Sequence, residues 1–202
     1  MTIDGGIRSH ERERVDAASK GHLPRLTPEH YRGRAFVHWT LTTEDRATGW
    51  LTPEFHDHWR YILLHACARY DLICPAYVLM PDHIHLLWLG LNKNGSDQRI
   101  AVEFLRKHLR AHLAPAEWQH QAHDHVLRDE ERAHGAFAAV AQYLFENPLR
   151  AGLVSRWETY PYCGQTAPGY PDLDPKDQDY WPLFWRIYNK QIEAHAATRS
   201  RS

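Results

Sequence analysis

The sequence predicts an α+β domain: a ferredoxin-like β-α-β-β-α-β sandwich with an appended helix that carries Tyr143, and a C-terminal tail. Three observations predict it. An alternating run at 35–42 is followed by a capped, amphipathic stretch from Thr52. Two apolar runs, Leu72 to Met80 and His83 to Gly90, are parted only by Pro81-Asp82, which reads as an antiparallel hairpin. A helix-like stretch at about 98–113 then precedes Trp118 to Arg128, which has room for a fourth strand.

Each element has a local cause. Ala35 to Thr42 alternates and is rich in β-formers. Thr52-Pro53-Glu54 supplies a cap, a first-turn proline and an early acid, and starts a helix to about Tyr70. Phe55, Trp59, Leu63, Ala66 and Tyr70 share one face of it, a core stripe. His56 and His58 lie on the same helix but diverge by about 200°, so they cannot chelate together. The second helix, capped by Ser96 or Asp97, is expected to turn Ile100, Phe104, Leu105, His108 and Ala111 inward. That leaves Arg99, Arg106, Lys107 and Arg110 outward, as a solvated face or a phosphate-contacting one. Gly135 to Glu146 is an alanine-rich helix, ended or kinked at Asn147-Pro148. Gly164 to Asp179 reads as a Pro/Asp-rich loop and Tyr180 to His195 as a short aromatic helix.

The organisation that follows is a disordered segment at 1–24, a domain at 25–163 and a tail at 164–202. No run of eighteen apolar residues supports a membrane span. Residues 1–20 lack an apolar signal core, and the 3 cysteines, Cys67, Cys74 and Cys163, are spaced as packing residues of a reducing cytosol. The expected location is therefore cytoplasmic. Net charge −1 and a pI near 7.0 count mildly against a nucleic-acid binder. A neutral total can still hide a basic face at Arg99 to Arg110 and an acidic one at Asp172 to Asp179.

The residues with chemistry in them lie on the second strand of the hairpin. Side chains two apart on a strand share a face, so His83 and His85 project together while Ile84 enters the core. Paired imidazoles are half of a divalent-metal site, or two histidines brought close by chance. His123-Asp124-His125 is a rival pair whose charged middle residue anchors nothing in a core, although its aspartate or a histidine could contribute to the site. An RNA-recognition domain shares the element order, but the third strand lacks the expected aromatic signature.

Met80-Pro81-Asp82-His83-Ile84-His85-Leu86-Leu87 resembles the histidine–hydrophobe–histidine (HUH) motif of single-tyrosine DNA transposases. Tyr143-Leu144-Phe145-Glu146-Asn147-Pro148-Leu149-Arg150-Ala151-Gly152-Leu153-Val154 is similar to the tyrosine helix of the REP-associated tyrosine transposases. Pro24-Arg25-Leu26, Tyr31-Arg32-Gly33, Asp124-His125-Val126-Leu127-Arg128 and Tyr160-Pro161-Tyr162 extend the likeness, in order, over roughly residues 24 to 163.

The resemblance implies cleavage and rejoining of single-stranded or hairpin DNA, folded from REP-like palindromes, through a covalent 5′-phosphotyrosine on Tyr143. It implies Mg²⁺ or Mn²⁺ on His83 and His85, although paired imidazoles alone also suit Zn²⁺. A side-chain oxygen one turn beyond the tyrosine makes Asn147 the implied third ligand, with Glu146 an alternative carboxylate and capping the alternative role for Asn147. Without the resemblance, Tyr143 reads as a half-buried helix tyrosine. Arg106, Lys107, Arg110, Arg128 and Arg150 are candidates for DNA contact, and Arg150 equally for a pin on the Asn-Pro turn. Two other functions stay open: a domesticated, non-catalytic binder of hairpin nucleic acid, and a phosphoesterase that uses water. Monomer and homodimer are both compatible with the sequence.

Overall fold

A computed structural model describes residues 26–199; the segment expected to be disordered, 1–24, lies outside them. The five strands form one antiparallel sheet in the order β4-β1-β3-β2-β5. β1 is Phe36–Thr42, β2 Leu72–Leu79, β3 His83–Gly90, β4 His123–Val126 and β5 Cys163–Thr166. The first four have the order and connections of the ferredoxin-like β-α-β-β-α-β pattern. Helix α1 (Pro53–Arg69) and helix α2 (Gln98–Leu113) cover one face of the sheet. On the other face lie α4 (His134–Phe145), which follows the single turn α3 (Asp129–Arg132), and α6 (Tyr180–Arg199). The turn α5 (Asn147–Arg150) follows α4.

The local signals place the elements as expected. The Thr52 hydroxyl accepts from the Phe55 N–H at 3.1 Å, and Asp97 accepts from the N–H groups of Arg99 and Ile100. The α1 stripe is buried at Phe55, Trp59, Leu63 and Ala66, but Cys67 completes it in place of Tyr70, which ends the helix. Gly90 is dictated by a close approach: a Cβ there would sit 1.8 Å from the Gly33 carbonyl oxygen. This holds the Tyr31-Arg32-Gly33 segment against the end of β3.

Two expectations need correction. The buried face of α2 is Gln98, Ala101, Val102, Leu105, Leu109 and Leu113, while Ile100, His108 and Ala111 face solvent. Gln98 pulls that face inward: it accepts from the Trp39 indole and donates to the Ala35 carbonyl. The loop expected from Gly164 begins instead as β5, which pairs with the outer edge of β2. A bare edge would leave a row of unpaired backbone groups, and the tail covers it. Beyond β5, the tail returns as α6 and seats Tyr180, Phe184, Ile187 and Tyr188 on the sheet. The cysteines are unpaired, and burial pushes the thiol of Cys67 up to about 12 and that of Cys163 to about 11, which leaves them inert packing groups.

Candidate active site

The alternation of β3 sends Ile84, Leu86 and Trp88 into the core under α1 and α2, so His83 and His85 emerge on the opposite face. They are half-buried, and their Nε2 atoms face each other at 3.1 Å. Their Nδ1 atoms are held from behind. His83 Nδ1 lies 2.7 Å from an Asp82 carboxylate oxygen, and His85 Nδ1 lies 3.0 Å from His38 Nε2 and 3.4 Å from the Thr40 hydroxyl. Two imidazoles held by outer hydrogen bonds with their Nε2 atoms convergent fit a divalent cation. Among the described residues, no group of three or more His, Cys, Asp and Glu could hold a metal ion. A third protein ligand would have to be of another kind.

The electrostatics agree. Burial, followed by the charges of His38, His83 and Arg150, pushes His85 down to about 3. Burial and the neighbouring His125 push His38 down to about 4. Both rings are therefore neutral at pH 7, as a ligand and its supporting partner must be. Burial raises Asp82, but hydrogen bonds from Arg46 and His83 outweigh it and hold its carboxyl below the usual range.

Tyr143 lies on α4, whose Phe137, Ala141, Leu144 and Phe145 pack on the histidine face of the sheet beside Leu87 and Leu89. The tyrosine itself is 58% exposed. Arg150 holds it. Its guanidinium carbon lies 3.8 Å from the centre of the tyrosine ring, and it donates to the Tyr143 carbonyl. Asn147 spends its Nδ2 on the carbonyls of Tyr143 and Leu144, capping α4, which leaves Oδ1 to offer. The Glu146 carboxylate accepts from Gln142 at 2.8 Å and pairs with Arg150 at 3.3 Å.

The other cations are dispersed. Arg106, Lys107 and Arg110 belong to α2, across the sheet from the histidines. Arg106 donates to the carbonyls of Gln119 and His120 and so fastens the loop before β4. Lys107 and Arg110 are exposed and share a 320 Å³ niche with Trp118. Arg128 is exposed just beyond β4. In the rival His123-Asp124-His125 run, Asp124 accepts from the Tyr31 hydroxyl at 2.6 Å and His125 binds Glu131 at 2.9 Å, so both have partners outside the histidine pair of β3.

Three residues of the site carry no functional signal in the sequence. Asp82 marks only a turn there, and His38 only an alternating strand. Arg46 pairs with Asp82 at 2.6 Å from a loop where Asp45 and Arg46 both adopt left-handed backbone conformations. Thr43 fastens that loop by donating to Asp82 and Ala47 carbonyls.

Fold and site together define a ferredoxin-like domain with a histidine pair on its third strand and an exposed tyrosine on a helix docked to the same face. Comparison with known proteins points the same way. A curated protein of Haemophilus influenzae named "Putative REP-associated tyrosine transposase" is 25% identical over 154 residues, covering 68% of this chain and 84% of that protein. A solved structure of a REP-associated tyrosine transposase bound to a REP hairpin superposes with a TM-score of 0.59 at 18% identity, over 71% of this chain and 81% of that one. No family model matches the chain. The resemblance to the REP-associated tyrosine transposases read from the histidine and tyrosine blocks is borne out.

Proposed function

We propose that the chain is a metal-dependent strand transferase for single-stranded or hairpin DNA, with Tyr143 as nucleophile and His83 and His85 as cation ligands. The observation that carries the reading is the convergent Nε2 pair on the face that receives the tyrosine helix, with Arg150 seated against the tyrosine ring. The relative seen bound to a REP hairpin makes a hairpin the substrate to test first.

The Tyr143 hydroxyl would attack the scissile phosphorus, forming an Oη–P bond as the P–O3′ bond breaks. The products are a 5′-phosphotyrosine and a free 3′-hydroxyl: the phenol gives its proton to solvent and the departing 3′ oxygen takes one from solvent. A 3′-hydroxyl attacking the same phosphorus would restore the phosphodiester and the phenol, so no nucleoside triphosphate is consumed. Asp82 keeps the His83 imidazole in place, and Arg150 restrains the tyrosine ring. Mg²⁺ or Mn²⁺, when bound, supplies positive charge to the phosphate oxygens. The Asn147 Oδ1 is the side-chain oxygen assigned to that cation as a third ligand, because both Glu146 oxygens already have partners. Arg128 is the exposed cation assigned to the DNA backbone near the site, and Lys107 and Arg110, across the sheet from the histidines, are assigned to DNA that runs past the edge of the sheet.

The test is a denaturing gel of the protein with labelled hairpin DNA and Mn²⁺. A covalent band lost in Tyr143→Phe is expected. Hairpin binding without such a band would instead identify a non-catalytic binding protein, and cleavage that survives Tyr143→Phe would identify a phosphoesterase that uses water.

A further inference from the structure

His38 and His85 meet across β1 and β3 with ring centroids 5.1 Å apart and Nε2 of the first 3.0 Å from Nδ1 of the second. A neutral imidazole has one N–H and one lone pair. If His83 and His85 both offer Nε2 lone pairs to a cation, both must carry their protons on Nδ1. The His83 proton then goes to Asp82, a carboxylate 2.7 Å away. The His85 proton needs an acceptor on the side facing β1. His38 Nε2 supplies it at 3.0 Å, and the Thr40 hydroxyl lies farther away at 3.4 Å. To accept, His38 must carry its own proton on Nδ1. β1 sets His38 in register with His125 of β4.

Resting on the reading of His83 and His85 as a cation pair, we propose that His38 is a positioning residue for the metal: it selects the tautomer of His85 and fixes its ring plane. The pair is thus supported asymmetrically, by a carboxylate behind one imidazole and by a third imidazole behind the other. Outer partners of ligating histidines are ordinarily carboxylates, carbonyls or water. A neutral ring at that place gives His85 an acceptor without adding negative charge.

The test is Mn²⁺ binding to the full-length chain, measured by calorimetry with and without substitutions. His85→Ala should abolish the site. His38→Leu should weaken Mn²⁺ about 10- to 100-fold, and His38→Gln, whose Oε1 can accept near the Nε2 position, should recover most of that loss. Unchanged affinity in His38→Leu, or an equal loss in His38→Gln, would overturn the assignment. Unchanged affinity in His85→Ala would instead reject the cation pair, and this inference with it. Long-range ¹H–¹⁵N NMR of the unaltered protein with Mg²⁺ gives a second readout that needs no variant. It should find His85 and His38 both protonated on Nδ1, and a His38 proton on Nε2 would be decisive against the proposal.

Discussion

The Arg150 guanidinium lies 3.8 Å from the centre of the Tyr143 ring and also donates to the Tyr143 backbone carbonyl. One side chain therefore holds both ends of the same residue, and Glu146 holds that side chain in turn at 3.3 Å. A flat guanidinium suits this task, because it can stack on a ring and donate along its edge at once. Arg150→Ala should slow single-turnover formation of the covalent DNA adduct about 100-fold, the scale of a small misplacement of a reacting group. Hairpin affinity should fall much less, and Arg150→Lys should recover little. An equal fall in affinity and rate would return Arg150 to the role of a plain phosphate contact.

Asp82 takes one hydrogen bond from His83 and one from Arg46, so its carboxylate sits between the ligand pair and a strained loop. Asp82→Ala should lower Mn²⁺ affinity about 10- to 100-fold by freeing the His83 ring. Arg46→Ala leaves the His83 contact in place and should lower it less. Calorimetric titration of the two variants against the unaltered chain checks the order.

The cations of α2 separate into two kinds. Arg106 is committed to loop carbonyls, whereas Lys107 and Arg110 face solvent. Arg106→Ala should destabilise the fold by about 0.5–1.5 kcal/mol, the net worth of a hydrogen bond to carbonyls that water can still reach, and should leave the salt dependence of hairpin binding unchanged. Lys107→Ala and Arg110→Ala should do the reverse, each reducing the log K against log salt slope by about 0.7 to 0.9. Denaturant melts and binding at several ionic strengths read the two effects separately.

These divisions show what was legible in the sequence. Thr52-Pro53, Asp97 and Pro81-Asp82 act on their own neighbours, so caps and the hairpin turn could be read locally. The facing of His83 and His85 followed from strand alternation alone. The buried side of α2 did not, because Ile100, Phe104 and His108 make a second stripe beside Ala101, Leu105 and Leu109, and only the Trp39 indole and the Ala35 carbonyl select between them. Cys163-Gly164-Gln165-Thr166 has no strand-like pattern; the edge of β2 makes it a strand. His38 as a partner of His85 depends on register across 47 positions, which no local spacing encodes. Arg106 and Arg110 look alike in sequence, and only the loop before β4 tells them apart.

His56 offers a pH test away from the metal ligands. Its Nε2 lies 3.0 Å from the Tyr77 hydroxyl, and burial, aided by the charge of Arg60, lowers its pKa from 6.5 to about 4. The folded state therefore binds fewer protons than the unfolded one below pH 6.5. The stability this ring contributes is fully present above about 6.5, shrinks as the pH drops below that value, and is lost once it passes about 4. In metal-free protein His38 and His85 act in the same direction. The urea midpoint should fall between pH 7 and 4.5, and His56→Gln should reduce proton uptake on unfolding by up to about one proton. An unchanged pH slope in that variant would show that His56 is protonated alike in both states.

Trp185 ties α6 to the start of the tyrosine helix. Its ring is 8% exposed, stacks on His134 at 4.3 Å and 11°, and meets Phe137 at 5.1 Å. His134 and Phe137 lie in the first turns of α4, so Trp185 steadies the end of that helix opposite Tyr143. Trp185→Ala should cost about 3–5 kcal/mol, the usual loss for a large aromatic in a core. The loss should not be uniform. Hydrogen exchange should quicken in α4 more than in β1–β3, because those strands keep their ladder while α4 loses a neighbour. Adduct formation should then slow with Mn²⁺ affinity intact, since His83 and His85 stay on β3. If α4 amides keep their protection while overall stability falls, α6 merely covers the sheet and has no part in holding the tyrosine.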